Sequence, residues 1–377
     1  MKRNLFISVI LSICTFSTCF ALDISEIDSN FKSEKIGNTE LVFLNALKAP
    51  FVIEGLPWHK EGEPLCRVPN IITKENTSGG VMGLAKHTSG VAIRFSTNSA
   101  NLAIRYVNWA SSDMRHMPRT GSCGIDVYKR SEDGKYTFVK NVTSSIFQNG
   151  KDKTPTVELV VRGAKGFREY VLFLPRYSGI ESLEVGVSKD AKFTKPSPHK
   201  TKKPILFYGS SITQGGCSSR PATVYSGILC RRFDAEEINL GFSGSAKGEP
   251  ILAQIIGDLD LSIFVYDYDY NAPTAEHLEK THEPFFKEFR KKQPNTPVIM
   301  MSRVSHFTDK RTSIIKKTYE NAVNAGDKNV YFIDGSKIFN ACGGFTEATV
   351  DACHPTDLGF YYMYKALEPI VEEILKK

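Results

Sequence analysis

The pattern of apolar residues changes at residue 204 and divides the sequence into two parts. After this point, short and fully apolar runs alternate with stretches of helical period. The apolar runs are 205–208, 238–241, 261–266, 298–301 and 330–333, and the helical stretches cover about 221–233, 276–292, 312–325 and 356–376. This alternation predicts an α/β domain in which helices cover both faces of a parallel sheet. Function in such sheets gathers beyond the carboxyl ends of the strands.

The first part of the chain has a different period. Between residues 22 and 195, apolar and polar residues alternate in short segments that are separated by turn-forming residues. The segments are 91–96, 102–107, 124–128, 156–161, 169–174 and 182–187. A period of two predicts an antiparallel β-sandwich, here jelly-roll-like. Residues 196–203 lie in a stretch rich in Lys, Pro, Ser and Thr, which predicts a linker before a second domain at 204–377.

The N-terminus has the pattern of a secretory signal peptide. Lys2 and Arg3 precede an apolar run that is too short to anchor the chain in a bilayer, and small residues lead up to Ala21. We expect cleavage after Ala21, so that residues 1–21 are removed and the protein is periplasmic or secreted. No other segment approaches transmembrane length, which predicts no stable membrane insertion.

The charge of the chain does not indicate a nucleic-acid partner. The formal net charge is +7, and removal of Lys2 and Arg3 leaves +5 (7 − 2). Basic residues are interspersed with acidic ones instead of forming long runs, which is typical of solvated surfaces. We therefore expect no nucleic-acid partner.

Six cysteines remain after the predicted cleavage, an even number that permits disulfides in an exported protein. Cys342 and Cys353 bracket a short glycine-rich loop, and both a bridge between them and two free thiols are open alternatives. No Cys/His cluster has the spacing of a zinc site, so the sequence predicts neither a metal nor a cofactor.

Two motifs in the second part carry the candidate chemistry. An apolar run breaks at Gly209 and presents Ser210 and Ser211 where a strand passes into a helix, and Asp351 and His354 follow far downstream on one loop. A serine hydroxyl is a weak nucleophile until a base takes its proton. An imidazole can act as that base, and a carboxylate can fix its tautomer. Together the motifs predict a Ser-His-Asp hydrolase site.

Each assignment has a competing interpretation. The alternative for Ser211 is a serine that only caps its helix. Asp357 competes with Asp351 for His354, but we interpret Thr356 and Asp357 as the cap and first turn of the C-terminal helix. Three further histidines are interpreted as surface or cleft-rim residues: His277, His282 and His306.

The order of four sequence blocks resembles that of the SGNH (GDSL-type) hydrolases. The blocks are Gly209-Ser210-Ser211-Ile212-Thr213, Asn239-Leu240-Gly241-Phe242-Ser243-Gly244, Asp269-Tyr270-Asn271-Ala272-Pro273 and Asp351-Ala352-Cys353-His354. Ser210 stands where the family usually has Asp. The first part of the chain is similar to the Gly-x-Asp-Leu-Tyr domain of a bacterial subgroup, because Gly124-Ile125-Asp126-Val127-Tyr128 matches that signature with Val for Leu.

The resemblance implies a role for each matching residue. Ser211 would be the nucleophile, His354 the base and Asp351 its partner. The backbone N–H groups of Ser211 and Gly241 and the side chain of Asn271 would form the oxyanion hole. A turn-forming asparagine is the alternative for Asn271.

Other residues are expected near the cleft. Arg220 and Glu249 are predicted either to bind substrate hydroxyls or to pair with each other. His116 lies in a loop that is expected to reach over the active site, and Asp126 is interpreted as structural.

The resemblance favours a secreted serine esterase that acts on O-acyl esters, principally O-acetyl groups of carbohydrate. The expected partner is therefore a small-molecule or polysaccharide ester substrate. One alternative is a lipid-directed esterase or thioesterase that uses the same triad. Another is a catalytically silent glycan-binding protein. The sequence leaves open whether the first domain contributes to the active site.

Overall fold

The computed structural model describes residues 21–110, 113–145, 153–305 and 309–377. Residues 1–20 of the predicted signal peptide lie outside the described residues. Within these ranges, no helix is both long and apolar enough to cross a membrane.

Two antiparallel sheets form the first part of the chain. The strands are β1 (Leu22–Asp23), β2 (Ser33–Ile36), β3 (Thr39–Asn45), β4 (Val52–Glu54), β5 (Ala92–Thr97), β6 (Leu102–Ala110), β7 (Ile125–Arg130), β8 (Tyr136–Val142), β9 (Thr156–Val161), β10 (Arg168–Phe173), β11 (Gly179–Val187) and β12 (Lys192–Thr194). One sheet has the order β1-β12-β5-β10-β7-β8 with β4 beside β5, and the other has the order β2-β3-β11-β6-β9. Three short helices interrupt them: α1 (Ile24–Ile27), α2 (Gly79–Leu84) and α3 (Arg119–Ser122).

The two sheets share one apolar core. Ile93 and Phe95 from β5 pack in the same cluster as Ile104 from β6 and Val185 from β11. Alternate side chains of both sheets therefore point inward, as a period of two requires. The predicted β-sandwich is confirmed.

The second part contains a parallel sheet. Its strands are β13 (Ile205–Gly209), β14 (Glu237–Gly241), β15 (Ile263–Asp267), β16 (Val298–Met301) and β17 (Val330–Ile333). They lie in the order β14-β13-β15-β16-β17. The helices are α4 (Ser211–Gln214), α5 (Tyr225–Phe233), α6 (Pro250–Gly257), α7 (Ala275–Lys292), α8 (Lys310–Asn324), α9 (Phe345–Ala348) and α10 (Asp357–Lys376), and the 3-10 segments are Pro221–Thr223, Asp269–Asn271 and Gly335–Cys342.

Helices cover both faces of this sheet. Leu206 and Tyr208 of β13 enter one apolar cluster, whereas Ile205 and Phe207 enter another on the opposite face. The predicted three-layer α/β/α architecture is confirmed. Helix α6 is not among the predicted helices, because it is short and almost wholly apolar, and such a run does not distinguish a helix from a buried strand.

The two parts pack together through buried ion pairs. Arg130 of β7 lies 2.5 Å from Asp234, the residue that ends α5. Arg176 lies 2.8 Å from Glu237 of β14, and all four side chains are almost completely buried. Because each charge has a partner across the interface, burial leaves none of the four uncompensated. The domain limits predicted at 195 and 204 stay predictions.

The cysteines of the described residues are all free. The Cys342 thiol donates to the Phe339 carbonyl at 3.3 Å. Of the two alternatives for Cys342 and Cys353, the structure therefore has the free thiols.

Candidate active site

A tight turn at the end of β13 carries the candidate nucleophile. Ser210 is the N-cap of α4 and accepts a hydrogen bond from the Ile212 N–H at 3.2 Å, so Ser211 is the first helical residue and not the cap. A Cβ atom on Gly209 would lie 2.1 Å from Thr213 Oγ1 and 2.3 Å from the Asp267 carbonyl oxygen. Only glycine fits where the strand turns into the helix, and this close packing fixes the position of Ser211.

Three side chains form a continuous hydrogen-bonded chain at this turn. Ser211 Oγ lies 2.9 Å from His354 Nε2, and His354 Nδ1 lies 2.8 Å from Asp351 Oδ2. The N–H groups of His354 and Cys353 also donate to Asp351 Oδ1, at 2.7 and 3.1 Å. Partial burial alone would raise the pKa of Asp351, but these hydrogen bonds outweigh it and hold the pKa below its ordinary value. The carboxylate therefore stays ionised beside the imidazole.

The competing carboxylate has other partners. Asp357 accepts hydrogen bonds from the Ser219 N–H and the Thr223 hydroxyl, both at 2.9 Å. Thr356 caps α10 by accepting from the Gly359 N–H at 3.4 Å. The interpretation of Thr356 and Asp357 as cap and first turn is confirmed.

Gly241 is held by a hydrogen bond and by close packing. Its N–H donates to Asn239 Oδ1 at 2.9 Å. A Cβ atom at this position would lie 2.2 Å from the Gln214 backbone nitrogen. The glycine is required because α4 packs directly on β14, and its role as an oxyanion donor stays a prediction.

Asn271 lies beside the nucleophile turn. Its side-chain amide donates to the Phe242 carbonyl at 2.8 Å and makes a longer contact of 3.4 Å to the Gly209 carbonyl. The residue is only 7% exposed. It therefore bridges the carboxyl ends of β13 and β14, and its role as an oxyanion donor stays a prediction.

Models of two protein families match the sequence. The model of the GDSL-like lipase/acylhydrolase family matches residues 202–372. The model of the N-terminus of SGNH hydrolase-type esterases, which has the Gly-x-Asp-Leu-Tyr signature, matches residues 41–193. The second part of the chain therefore belongs to the SGNH (GDSL-type) hydrolases, and the first part is the N-terminal domain of such esterases. Among curated proteins, no match was found.

Solved structures share both parts of this SGNH hydrolase. A protein described as a GDSL-like lipase from Bacteroides ovatus is 29% identical with a TM-score of 0.77, and the match covers 89% of this chain and 98% of that one. The salicylyl-acyltransferase SsfX3 is 20% identical with a TM-score of 0.73, over 89% and 98%. An acetyl xylan esterase from Butyrivibrio proteoclasticus is 12% identical with a TM-score of 0.58, over 89% and 99%. The last two similarities show the fold alone.

The predicted pair of Arg220 and Glu249 does not form in this SGNH hydrolase. The Arg220 guanidinium lies 3.3 Å from Asp126 and over the Phe138 ring at 4.1 Å. Glu249 instead accepts from the Tyr208 hydroxyl at 3.3 Å. The alternative that Arg220 and Glu249 pair with each other is therefore wrong.

Asp126 joins the two domains of this SGNH hydrolase. Its carboxylate accepts from the Ala222 N–H at 3.0 Å and from Asn141 at 2.9 Å, besides its contact with Arg220. Burial raises the pKa of Asp126, and Arg220 and these donors oppose the shift. The signature aspartate is structural, as interpreted from the sequence.

The histidines have distinct environments. The His116 ring lies 5.4 Å from the His354 ring, so the predicted loop does reach the candidate site. His282 is 1% exposed, stacks on Tyr266, and has its pKa lowered to about 3 by burial. Its interpretation as a surface or rim residue is wrong. His277 contacts the Lys247 carbonyl, and His306 lies outside the described residues.

The β-sandwich supplies residues that the sequence did not indicate. The Tyr177 hydroxyl donates to the Ser211 carbonyl at 3.0 Å, and the Ser89 hydroxyl donates to the Gln214 carbonyl at 2.7 Å. The Gln214 side chain in turn donates to the Arg176 carbonyl at 3.2 Å. The first domain therefore holds α4 and its serine in place. No local motif marks these residues, because only the packing of the two domains brings them to α4.

Three potential metal ligands also meet at the site. Within the described ranges, ligand atoms of His116, Cys217 and His354 all lie within 4.8 Å of one another. Burial raises the pKa of the Cys217 thiol to about 12, and the nearby Asp351 carboxylate adds to the shift. Spacing in the sequence could not reveal this cluster, because its members come from three distant segments.

Proposed function

We propose that this protein is an exported serine esterase that hydrolyses O-acyl esters, and that its main substrates are O-acetyl groups on carbohydrate. The observation that carries the proposal is the hydrogen-bonded chain from Ser211 through His354 to Asp351. Such a chain turns a weak nucleophile into an effective one, because the imidazole can accept the hydroxyl proton.

In the proposed acylation, Ser211 Oγ attacks the ester carbonyl while His354 Nε2 takes the hydroxyl proton. Asp351 accepts the hydrogen bond from His354 Nδ1, which keeps Nε2 free of a proton before attack and stabilises the imidazolium after it. His354 then gives the proton to the leaving alkoxide, and the acyl group remains on Ser211.

The tetrahedral oxyanion needs hydrogen-bond donors. Ser211 occupies the first position of α4, where backbone N–H groups have no intrahelical acceptor. Asn271 adds a side-chain amide whose contact to Gly209 is long at 3.4 Å. We assign these two residues as donors, and water activated by His354 then releases the acid from Ser211.

The carbohydrate substrate is supported by similarity of fold and by the predicted export of the protein. The fold is similar to that of the acetyl xylan esterase, and the leader predicted at residues 1–21 would place the enzyme where polysaccharides are found. A lipid-directed activity on the same triad would instead favour long acyl chains.

The proposal is tested with p-nitrophenyl esters of increasing chain length. We expect turnover of the acetate ester, a decline with chain length, and loss of turnover in Ser211→Ala. Ser210→Ala is the matched control, because it removes only a helix cap worth about 1 kcal/mol and should keep most of the activity.

The esterase proposal is refuted if the wild type shows no turnover, or if Ser211→Ala does not abolish it. A preference for long chains would refute the acetyl specificity. Mass spectrometry of acetylated polysaccharides before and after incubation then identifies the sugar.

A further inference from the structure

Three side chains from separate elements surround one point beside the nucleophile. His116 precedes α3, Cys217 follows α4, and His354 precedes α10. Their ligand atoms lie within 4.8 Å of one another, and the two imidazole rings are 5.4 Å apart. Cys217 is 7% exposed and packs against Met117 and Tyr177.

We propose that His116, Cys217 and His354 form an inhibitory site for Zn²⁺ and chemically similar divalent cations. Imidazole and thiolate are ligands that Zn²⁺ prefers, and with three of them a fourth position stays open to water or Ser211. Zinc bonds of about 2.0–2.3 Å place tetrahedral ligand atoms about 3.3–3.8 Å apart. The cluster therefore needs to contract by about 1 Å, which small rotations of the side chains can supply.

The surroundings of His354 suit a metal ligand. Asp351 Oδ2 lies 2.8 Å from His354 Nδ1, which leaves His354 Nε2 as the ligand atom. A carboxylate on the second ring nitrogen is the usual support of a zinc-bound histidine. The same carboxylate and a Cys217 thiolate supply two negative charges against the 2+ ion. On binding, the Cys217 S–H bond breaks, the sulfur binds the metal, and the proton passes to solvent.

Binding at this site would block the proposed reaction. His354 Nε2 carries the lone pair that accepts the Ser211 proton, and a metal would occupy the same lone pair. Inhibition thus rests on the proposed function, whereas metal binding itself does not. The proposed triad uses no metal, so chelators should leave the activity of the metal-free enzyme unchanged.

The test uses Co²⁺ as a spectroscopic substitute for Zn²⁺ on the intact protein. We expect the wild type to show a thiolate-to-cobalt absorption band. Cys217→Ser should lose the band, and Cys342→Ser, which removes a free thiol outside the cluster, should keep it. Ser211→Ala should also keep it, so this readout is independent of esterase activity.

Inhibition provides the second readout. With p-nitrophenyl acetate, half-inhibition of Cys217→Ser should require at least about ten-fold more Zn²⁺ than that of the wild type, and a chelator should restore activity. Melting curves check that Cys217→Ser and Cys217→Ala are folded. The proposal is refuted if the wild type gives no thiolate band, or if Zn²⁺ inhibits the wild type and both Cys217 variants equally. His116→Gln should weaken the cobalt band, and an unchanged band would also contradict the site.

Discussion

At the scale of single residues, two aspartates near His354 have separate tasks. Asp351 contacts the imidazole, whereas Asp357 accepts hydrogen bonds from Ser219 and Thr223 and lies in the first turn of α10. The order Asp-x-x-His predicted this assignment, because a three-residue spacing on one loop lets both side chains face the same point. The structure supplied the partners of Asp357, which no local pattern reveals.

Asp351→Asn should lower kcat by about 10²–10⁴-fold with little change in KM, because the amide cannot stabilise the imidazolium that forms during attack. The Asp351 side chain is 34% exposed, so substitution should cost little stability. Steady-state kinetics on p-nitrophenyl acetate measure the effect. Asp357→Asn is the control and should reduce kcat by less than ten-fold. Equal losses in the two variants would contradict the assignment.

At the scale of elements, the position of the nucleophile depends on how closely α4 packs on β14. Gly241 of β14 leaves no room for a Cβ atom against the backbone of Thr213 and Gln214. A sequence block can mark such a glycine, but it does not show that packing requires it. That requirement follows from the distance between a Cβ atom at Gly241 and the backbone of α4.

Gly241→Ala should destabilise the protein by about 1–3 kcal/mol or more and reduce esterase activity, because the nearest atoms belong to backbone and cannot move aside. Gly83→Ala in α2 is the matched control, since its added Cβ would meet nothing within 4 Å. Thermal denaturation of both variants measures the difference. A Gly241→Ala protein as stable as the wild type would rule out this packing role.

At the scale of the whole molecule, buried charges join the two domains. His199, in the predicted linker, contacts Glu54 of the sandwich at 3.0 Å and Asp234 of the hydrolase domain at 3.2 Å. Burial alone would lower the pKa of His199, but hydrogen bonds that the ring donates to these carboxylates outweigh it and raise the pKa to about 9. Burial alone would raise the pKa of Asp234, but hydrogen bonds, first of all from Arg130, outweigh it and lower the pKa. Histidine and both carboxylates are therefore charged at neutral pH.

The raised pKa of His199 predicts how stability depends on pH. A histidine whose pKa rises on folding stabilises the native state fully below its unfolded pKa of about 6.5, and the contribution disappears as pH rises through about 9. We expect His199→Gln to lose on the order of 1–3 kcal/mol at pH 6 and much less at pH 10. Melting temperatures of both proteins across this range test the prediction. A gap that stays constant, or widens at high pH, would contradict it.

The sequence by itself determined the fold class, the approximate positions of many strands, and Ser211, Asp351 and His354 as candidate site residues. These features are local, because strand period, turn glycines and short motifs are written in neighbouring positions. Only the tertiary structure decided how Tyr177 and Ser89 of the sandwich hold α4, why Gly241 is a glycine, and that His116, Cys217 and His354 meet. Those contacts join residues far apart in the chain, and packing alone fixes which of them come together.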